Sequence, residues 1–247
     1  MNSRHFLAAV LALSVSGLAV ATPASSSNID AAISDSARPA EDIARDAARK
    51  PAAILAFAKV HEGETVLEVI PGGGYFTRLL SKSVGPSGTV YAASPPIQNM
   101  GAKAEAIAAD PRYSNVKAVP LNATTLGPDT PKVDLIFTAQ NYHDLHLTQA
   151  HQDVPLFDKL LFGKLKSGGL LFVIDHIAAA GAPVTETADK LHRIDPTFVL
   201  KEIEAAGFVF DGQIDVLRNS DDSHLILVFD PSIRGKTDQF VFRFRKP

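Results

Sequence analysis

Residues 65–84 limit the possible folds more than any other stretch of this chain. Thr65-Val66-Leu67-Glu68-Val69-Ile70 is a short β-rich run, and Pro71-Gly72-Gly73-Gly74 breaks it at once. From Tyr75 onward Phe76, Leu79 and Leu80 recur at helical spacing until Gly85-Pro86 stops them. A buried strand that passes through glycines directly into a helix is the start of a strand–helix–strand crossover, the unit of parallel α/β sheets. Glycine lets the backbone approach a ligand closely, and the helix start leaves N–H groups unpaired.

The alternation continues. Further strands are expected at Thr89–Ala93, Val116–Leu121, Val133–Thr138, Leu170–Ile174, near Val209–Leu217 and at Phe240–Arg245. Helical patterns occupy Ala40–Lys59 with a break at Pro51, then Asn99–Ala109 and Val154–Leu165. Another runs to Ala206 from Asp195-Pro196, an N-cap followed by proline in the first turn. Strands apolar on both faces and separated by helices make a doubly wound, mostly parallel, Rossmann-like sheet of seven strands. The last strands lack a strong helix between them, which predicts an antiparallel edge. His224–Phe229 is an apolar run with no clear place in this scheme.

At the N-terminus Arg4 precedes an almost unbroken apolar run, Phe6–Val20, followed by Ala19-Val20-Ala21. This is the pattern of a secretory signal peptide cleaved after Ala21, and the run is short for a permanent span. The expectation is a periplasmic or secreted protein with no membrane contact after cleavage. Thr22–Pro39, rich in Ser and Ala, reads as a flexible arm, and residues 40–247 as one domain. With no cysteine, disulfides, thiolate metal sites and cysteine nucleophiles are excluded. A net charge of −3 gives no field to recruit nucleic acid, so the expected partner is a small molecule. Oligomeric state is not specified.

In an open parallel sheet ligands bind beyond the carboxyl ends of the strands. That rule selects Glu68–Tyr75, Ala92–Pro96, Leu121–Thr124, Ala139–His146 and Asp175–Ile177. The first segment lacks the third glycine of a dinucleotide fingerprint, and no acid follows the second strand at Ala92-Ala93-Ser94. A phosphate loop fails as well, because no Gly-Lys-Ser/Thr closes the turn.

Glu68-Val69-Ile70-Pro71-Gly72-Gly73-Gly74 resembles the acid-x-Gly-x-Gly-x-Gly turn of class I S-adenosylmethionine-dependent methyltransferases, with Ile70 at the first glycine. Leu165-Lys166-Ser167-Gly168-Gly169-Leu170 resembles the turn before their fifth strand. An exported bacterial group of methyltransferase-like proteins carries strings similar to Gln140-Asn141-Tyr142-His143-Asp144-Leu145-His146, His192-Arg193-Ile194-Asp195-Pro196 and Ile233-Arg234-Gly235-Lys236-Thr237-Asp238. The resemblance implies methyl transfer from S-adenosylmethionine to a small acceptor. It implies cofactor contacts from Glu68, Gly72, Gly73, Gly74, Tyr75 and Asn141. Ser94 would stand where an acid holds the ribose, and Asn122 where an acid faces the adenine amino group. That chemistry needs no metal.

The polar cluster after the fourth strand admits several readings. His143, oriented by Asp144 and flanked by Tyr142, suits a general base. His143 and His146 could instead ligate a metal completed by Asp175, His176 or His192, giving a metal-assisted hydrolase. The cluster could also simply cap the following helix. Arg193 could clamp an anion or pair locally while Asp195 caps its helix. A catalytically inactive fold that binds a ligand in the same cleft is the remaining alternative.

Overall fold

The computed structural model describes residues 25–96, 100–122, 126 and 130–247. The expected signal peptide, 1–21, lies outside them. In chain order the elements are α1 (Ser25–Ser34), α2 (Ala40–Ile43), α3 (Asp46–Arg49), α4 (Pro51–Phe57), β1 (Thr65–Val69), α5 (Tyr75–Val84), β2 (Thr89–Ser94), α6 (Met100–Ala108) and β3 (Val116–Pro120). Then come β4 (Val133–Ala139), α7 (Val154–Lys164), β5 (Leu165–His176), α8 (Val184–Leu191), α9 (Pro196–Ala205), β6 (Val209–Gln213) and β7 (Gln239–Arg245). No helix of the described residues is long and apolar enough to cross a membrane.

The sheet runs β3-β2-β1-β4-β5-β7-β6, parallel from β3 to β5 and antiparallel at β7 and β6. Strand order reverses between β1 and β4, where Glu68 lies in register with Phe137, so the crevice for a ligand opens above these two strands. One face of the sheet is covered by α1, α4, α5 and α6 around Phe76, Phe137 and Phe172, whose rings follow one another at 4.8 Å. The other carries α7 and α9 over Leu67, Ile136 and Val173. With both faces covered, β1 and β4 are apolar on both sides, which is why they read as continuous runs rather than alternating ones.

Several elements differ from the sequence expectation. Within the segment read as a flexible arm, Ser25–Ser34 forms a helix whose Ile29 and Ala32 are buried. Its apolar face is only Ile29, Ala32 and Ile33, too brief to show a sustained period against Ser and Asp. Ala40–Lys59 divides into three short helices, with Lys50 left-handed before Pro51. Strand β5 begins at Leu165 because Gly168, at φ 78°, lets the chain stay in the sheet where it was expected to turn. Strand β6 ends at Gln213, and the apolar run 224–229 belongs to a long irregular excursion between β6 and β7.

Candidate functional site

The glycine turn forms one half of the crevice. Ile70 adopts φ 54°, a left-handed conformation that costs a β-branched residue roughly 1–2 kcal/mol. Asn141 holds it there: its amide donates to the Ile70 carbonyl at 2.7 Å and to the Val69 carbonyl at 3.3 Å. Thr138 in turn donates to the Asn141 side-chain oxygen. Gly72 and Gly74 have φ 56° and 78°, and a Cβ on Gly72 or Gly73 would meet nothing within 4 Å. A Cβ on Gly74 would stand 2.1 Å from the Ile107 methyl, so that glycine serves the contact with α6. These turns surround a cavity of about 220 Å³ that Glu68, Tyr75, Asn141 and Asp144 also line.

Glu68 is buried and accepts from the Thr77 hydroxyl at 2.5 Å. Burial raises its pKa to about 7, against the pull of Thr77 and the charges of Arg78 and Arg49. Tyr75 donates to Asp46 at 2.6 Å, tying α5 to α3. Further along the edge, Ser94 lines a second cavity of about 380 Å³, and its buried hydroxyl has no hydrogen-bond partner among the described residues. Glu105 of α6 lines the same cavity. A Cβ on Gly101 would lie 3.7 Å from the Glu105 Oε1 and 3.9 Å from the Ser94 Cβ, so a carboxylate does reach this region, from the helix rather than the strand. Asn122 stands exposed two residues beyond β3.

The other half is built from side chains. His143 begins a 3-10 turn, His143–His146, and is buried. Its backbone N–H donates to Asp175 Oδ2 at 2.7 Å and its Nδ1 meets Asp175 Oδ1 at 2.8 Å. On the opposite edge, Nε2 lies 3.1 Å from both His192 Nδ1 and Asp144 Oδ1. Burial alone would lower the His143 pKa, but the two carboxylates outweigh it and raise it to about 10. Asp175, not Asp144 as expected, takes Nδ1 and orients the ring, while Asp144 and His192 both face Nε2.

Two other expectations change. The Tyr142 ring is buried away from the crevice, its hydroxyl 2.7 Å from Asp158 Oδ2 and 2.9 Å from Glu202 Oε2, so it anchors the turn to α7 and α9. His146 joins that same network, 2.9 Å from Glu202 Oε2, and does not share ligands with His143. Arg193 is fully buried in a two-pronged pair with Asp222 at 2.8 and 3.1 Å, and Asp195 caps α9. The local readings of Arg193 and Asp195 are the ones observed.

The excursion 214–238 roofs a third cavity of about 300 Å³ beside the turn, which it shares with Arg45, Arg49, Phe76 and Gln140 as common walls. Val228 and Phe229 give the unplaced apolar run its role as part of that roof. Arg49 stacks on Tyr75 at 4.7 Å and donates to Gln140, and among the described residues it has no ion pair. Burial lowers its pKa to about 10, so it stays charged. Arg234 and His176 complete the polar lining. Gln239 donates to the Thr237 hydroxyl at 3.3 Å, and that hydroxyl lies 2.7 Å from His176 Nδ1. Neither Arg45 nor Arg49 stood out in the sequence, because isolated cations in short helices carry no pattern, and Arg234 entered only as part of the string Ile233–Asp238.

No family model and no curated protein matches the sequence. Solved structures do match the fold. They include a S-adenosylmethionine-dependent methyltransferase from Aquifex aeolicus (22% identity, TM-score 0.57, 78% of this chain and 88% of that one). A second, from Mesorhizobium loti, matches at 14% identity and TM-score 0.54, over 82% of this chain and 100% of the other. The cyclase SpnF matches at 18% identity and TM-score 0.57, over 84% and 82%. The chain thus has the fold of class I S-adenosylmethionine-dependent methyltransferases. That one of the three neighbours is a cyclase shows that this fold does not fix the reaction.

Proposed function

We propose that the protein binds S-adenosylmethionine along the β1–β2 edge and transfers its methyl group to a small anionic acceptor with an apolar body. The observation that carries this reading is the pairing of the open glycine turn with an adjoining cavity that holds three arginines. Gly72 and Gly73 leave room for close backbone approach, and the Ser94 hydroxyl, which has no partner among the described residues, and the Glu105 carboxylate are suited to sugar hydroxyls. Glu68 would receive the ammonium end. When bound, the cofactor supplies an electrophilic methyl on a positively charged sulfur.

What the chain contributes is placement. Arg49, Arg45 and Arg234 attract and orient the anionic group, and the His176 ring adds a polar wall. Phe76, Leu217 and Phe229 take the apolar body and exclude water. Both His143 nitrogens already face partners, so the acceptor atom is one that is nucleophilic without a protein base, such as an ionised oxygen. Export to the periplasm is proposed from the N-terminal pattern, and N-terminal sequencing of the protein recovered outside the cytoplasm tests it.

The experiment is calorimetric titration of S-adenosylmethionine and S-adenosylhomocysteine into protein refolded to remove carried-over ligand. Binding that Gly72→Val abolishes supports the reading. A folded protein that gives no heat overturns it, and favours a non-catalytic ligand-binding protein, the alternative to which the left-handed Ile70 in the turn also points.

A further inference from the structure

We propose that His143 Nε2, His192 Nδ1 and Asp144 Oδ1 form a site for one divalent metal ion of the zinc class. The three atoms stand 3.1, 3.1 and 3.5 Å apart. Ligands about 2.0–2.1 Å from a tetrahedral zinc ion are separated by roughly 3.3 Å, so the triangle already has the dimensions of one face of such a site. Two imidazoles and one carboxylate are a donor set that suits zinc better than magnesium or calcium.

The surroundings hold the triangle in place. Asp175, wholly buried at the end of β5, accepts from His143 Nδ1–H and so directs Nε2 into the triangle, the arrangement in which a carboxylate fixes a metal-binding histidine. His192 is the left-handed residue (φ 53°) that ends α8. The segment after it is bridged to β5 through Ile177 and Ile194, and Phe229 packs on the His192 ring at 4.8 Å. A strained residue held by a bridge and a ring contact is oriented by the fold rather than by chance rotation. A bound ion would take the Nε2 lone pair, and any proton there would leave to solvent, as metal sites release protons on binding. Three protein ligands leave the fourth position open, as in zinc sites that bind a further oxygen. Asp144 lines the glycine-turn cavity, which puts the ion beside the crevice.

The sequence expectation paired His143 with His146, with Asp175, His176 or His192 to complete the shell, and assigned methyl transfer no metal; this site keeps His143 and His192 and replaces His146 by Asp144. It also stands independently of the methyltransferase reading.

The test is titration of chelator-stripped full chain with zinc by calorimetry and with cobalt(II) by visible absorption. One zinc per chain and an intense four-coordinate cobalt spectrum are expected. His192→Asn, which tolerates the left-handed backbone, removes both signals while the melting curve persists, and Asp144→Asn weakens binding. His61→Ala, at an exposed pair elsewhere, leaves both unchanged. No stoichiometric zinc binding, or binding that survives His192→Asn, overturns the proposal. Titration of S-adenosylmethionine into the metal-free protein separates this failure from failure of the methyltransferase reading.

Discussion

The two halves of the crevice are made by different means. Around β1 and β2 the surface is largely backbone: glycines with open space above them, a strained Ile70, and a buried hydroxyl with no partner among the described residues. Around the ends of β4 and β5 it is titratable side chains, each with several partners: His143 with Asp175, Asp144 and His192, and Arg193 with Asp222 and two carbonyls. The first half keeps unmet valences for a ligand. The second uses most of its valences to hold itself together, and it supports the roof of the third cavity. Substitutions in the first half should therefore cost ligand affinity more than stability, and those in the buried ion pairs of the second, the His143–His192–Asp144 triangle apart, the reverse.

The largest effect is expected in the side-chain half. Arg193→Met leaves Asp222 buried without its cation, and removing one partner of a buried pair costs about 3–5 kcal/mol. Urea unfolding reads the loss. Asp222 also accepts from the Asp238 and His224 backbone N–H groups, so the 214–238 excursion should loosen as well. A change below about 1 kcal/mol would show that this half is not the self-contained network described.

Glu68 lets the comparison be drawn within the other half. Its folded pKa is raised to about 7, above its ordinary value, chiefly by burial. The folded state then holds this proton more tightly than the unfolded chain. Its contribution is fully present below the unfolded pKa, falls as pH rises between about 4.5 and 7, and is lost above that window. Glu68→Gln removes the dependence. The variant is expected to be more stable than the parent at pH 8, by an amount on the order of 3 kcal/mol, and to bind S-adenosylmethionine more weakly. Unfolding at pH 5 and pH 8 measures the first expectation, and calorimetry the second. Equal pH dependence in the two proteins would remove Glu68 as the group responsible.

Gly73 and Gly74 separate ligand room from packing at adjacent positions. Gly74→Ala meets both a positive φ and the Ile107 methyl, and is expected to cost about 1–2 kcal/mol of stability. Gly73→Ala meets neither, so stability stays within about 0.5 kcal/mol while cofactor affinity falls by about 10-fold. Similar stability losses in both would mean that the three glycines are simply a tight turn.

The backbone half was also the more legible in sequence. A strand–glycine–helix junction is contiguous, and the rule placing ligands beyond parallel strands located it without contacts. The side-chain half joins residues 32 and 49 positions apart, His143 with Asp175 and with His192, and no local spacing encodes that. Sequence pattern grouped His143 with His146 because they are near in the chain. Glu202 on α9 draws His146 away, and only the tertiary packing reveals it. The excursion 214–238 was unreadable for a related reason. Its exposed Leu225 and Phe229 mimic a strand, whereas its fold is set by Asp222 and Asp238.

The smallest stability effect, and the sharpest functional one for its size, belongs to Ile70. Gly at this position relieves roughly 1–2 kcal/mol of left-handed strain. It forfeits about 1 kcal/mol from a half-buried side chain and some backbone entropy, so net stability stays within about 1 kcal/mol. Removing the side chain opens the place where Ile70 lines the glycine-turn cavity. Cofactor affinity in Ile70→Gly is therefore expected to rise above the parent's in the same calorimetric titration. If affinity falls instead, the isoleucine is a contact the ligand uses, and the turn is shaped for a ligand other than the one that usually occupies this fold.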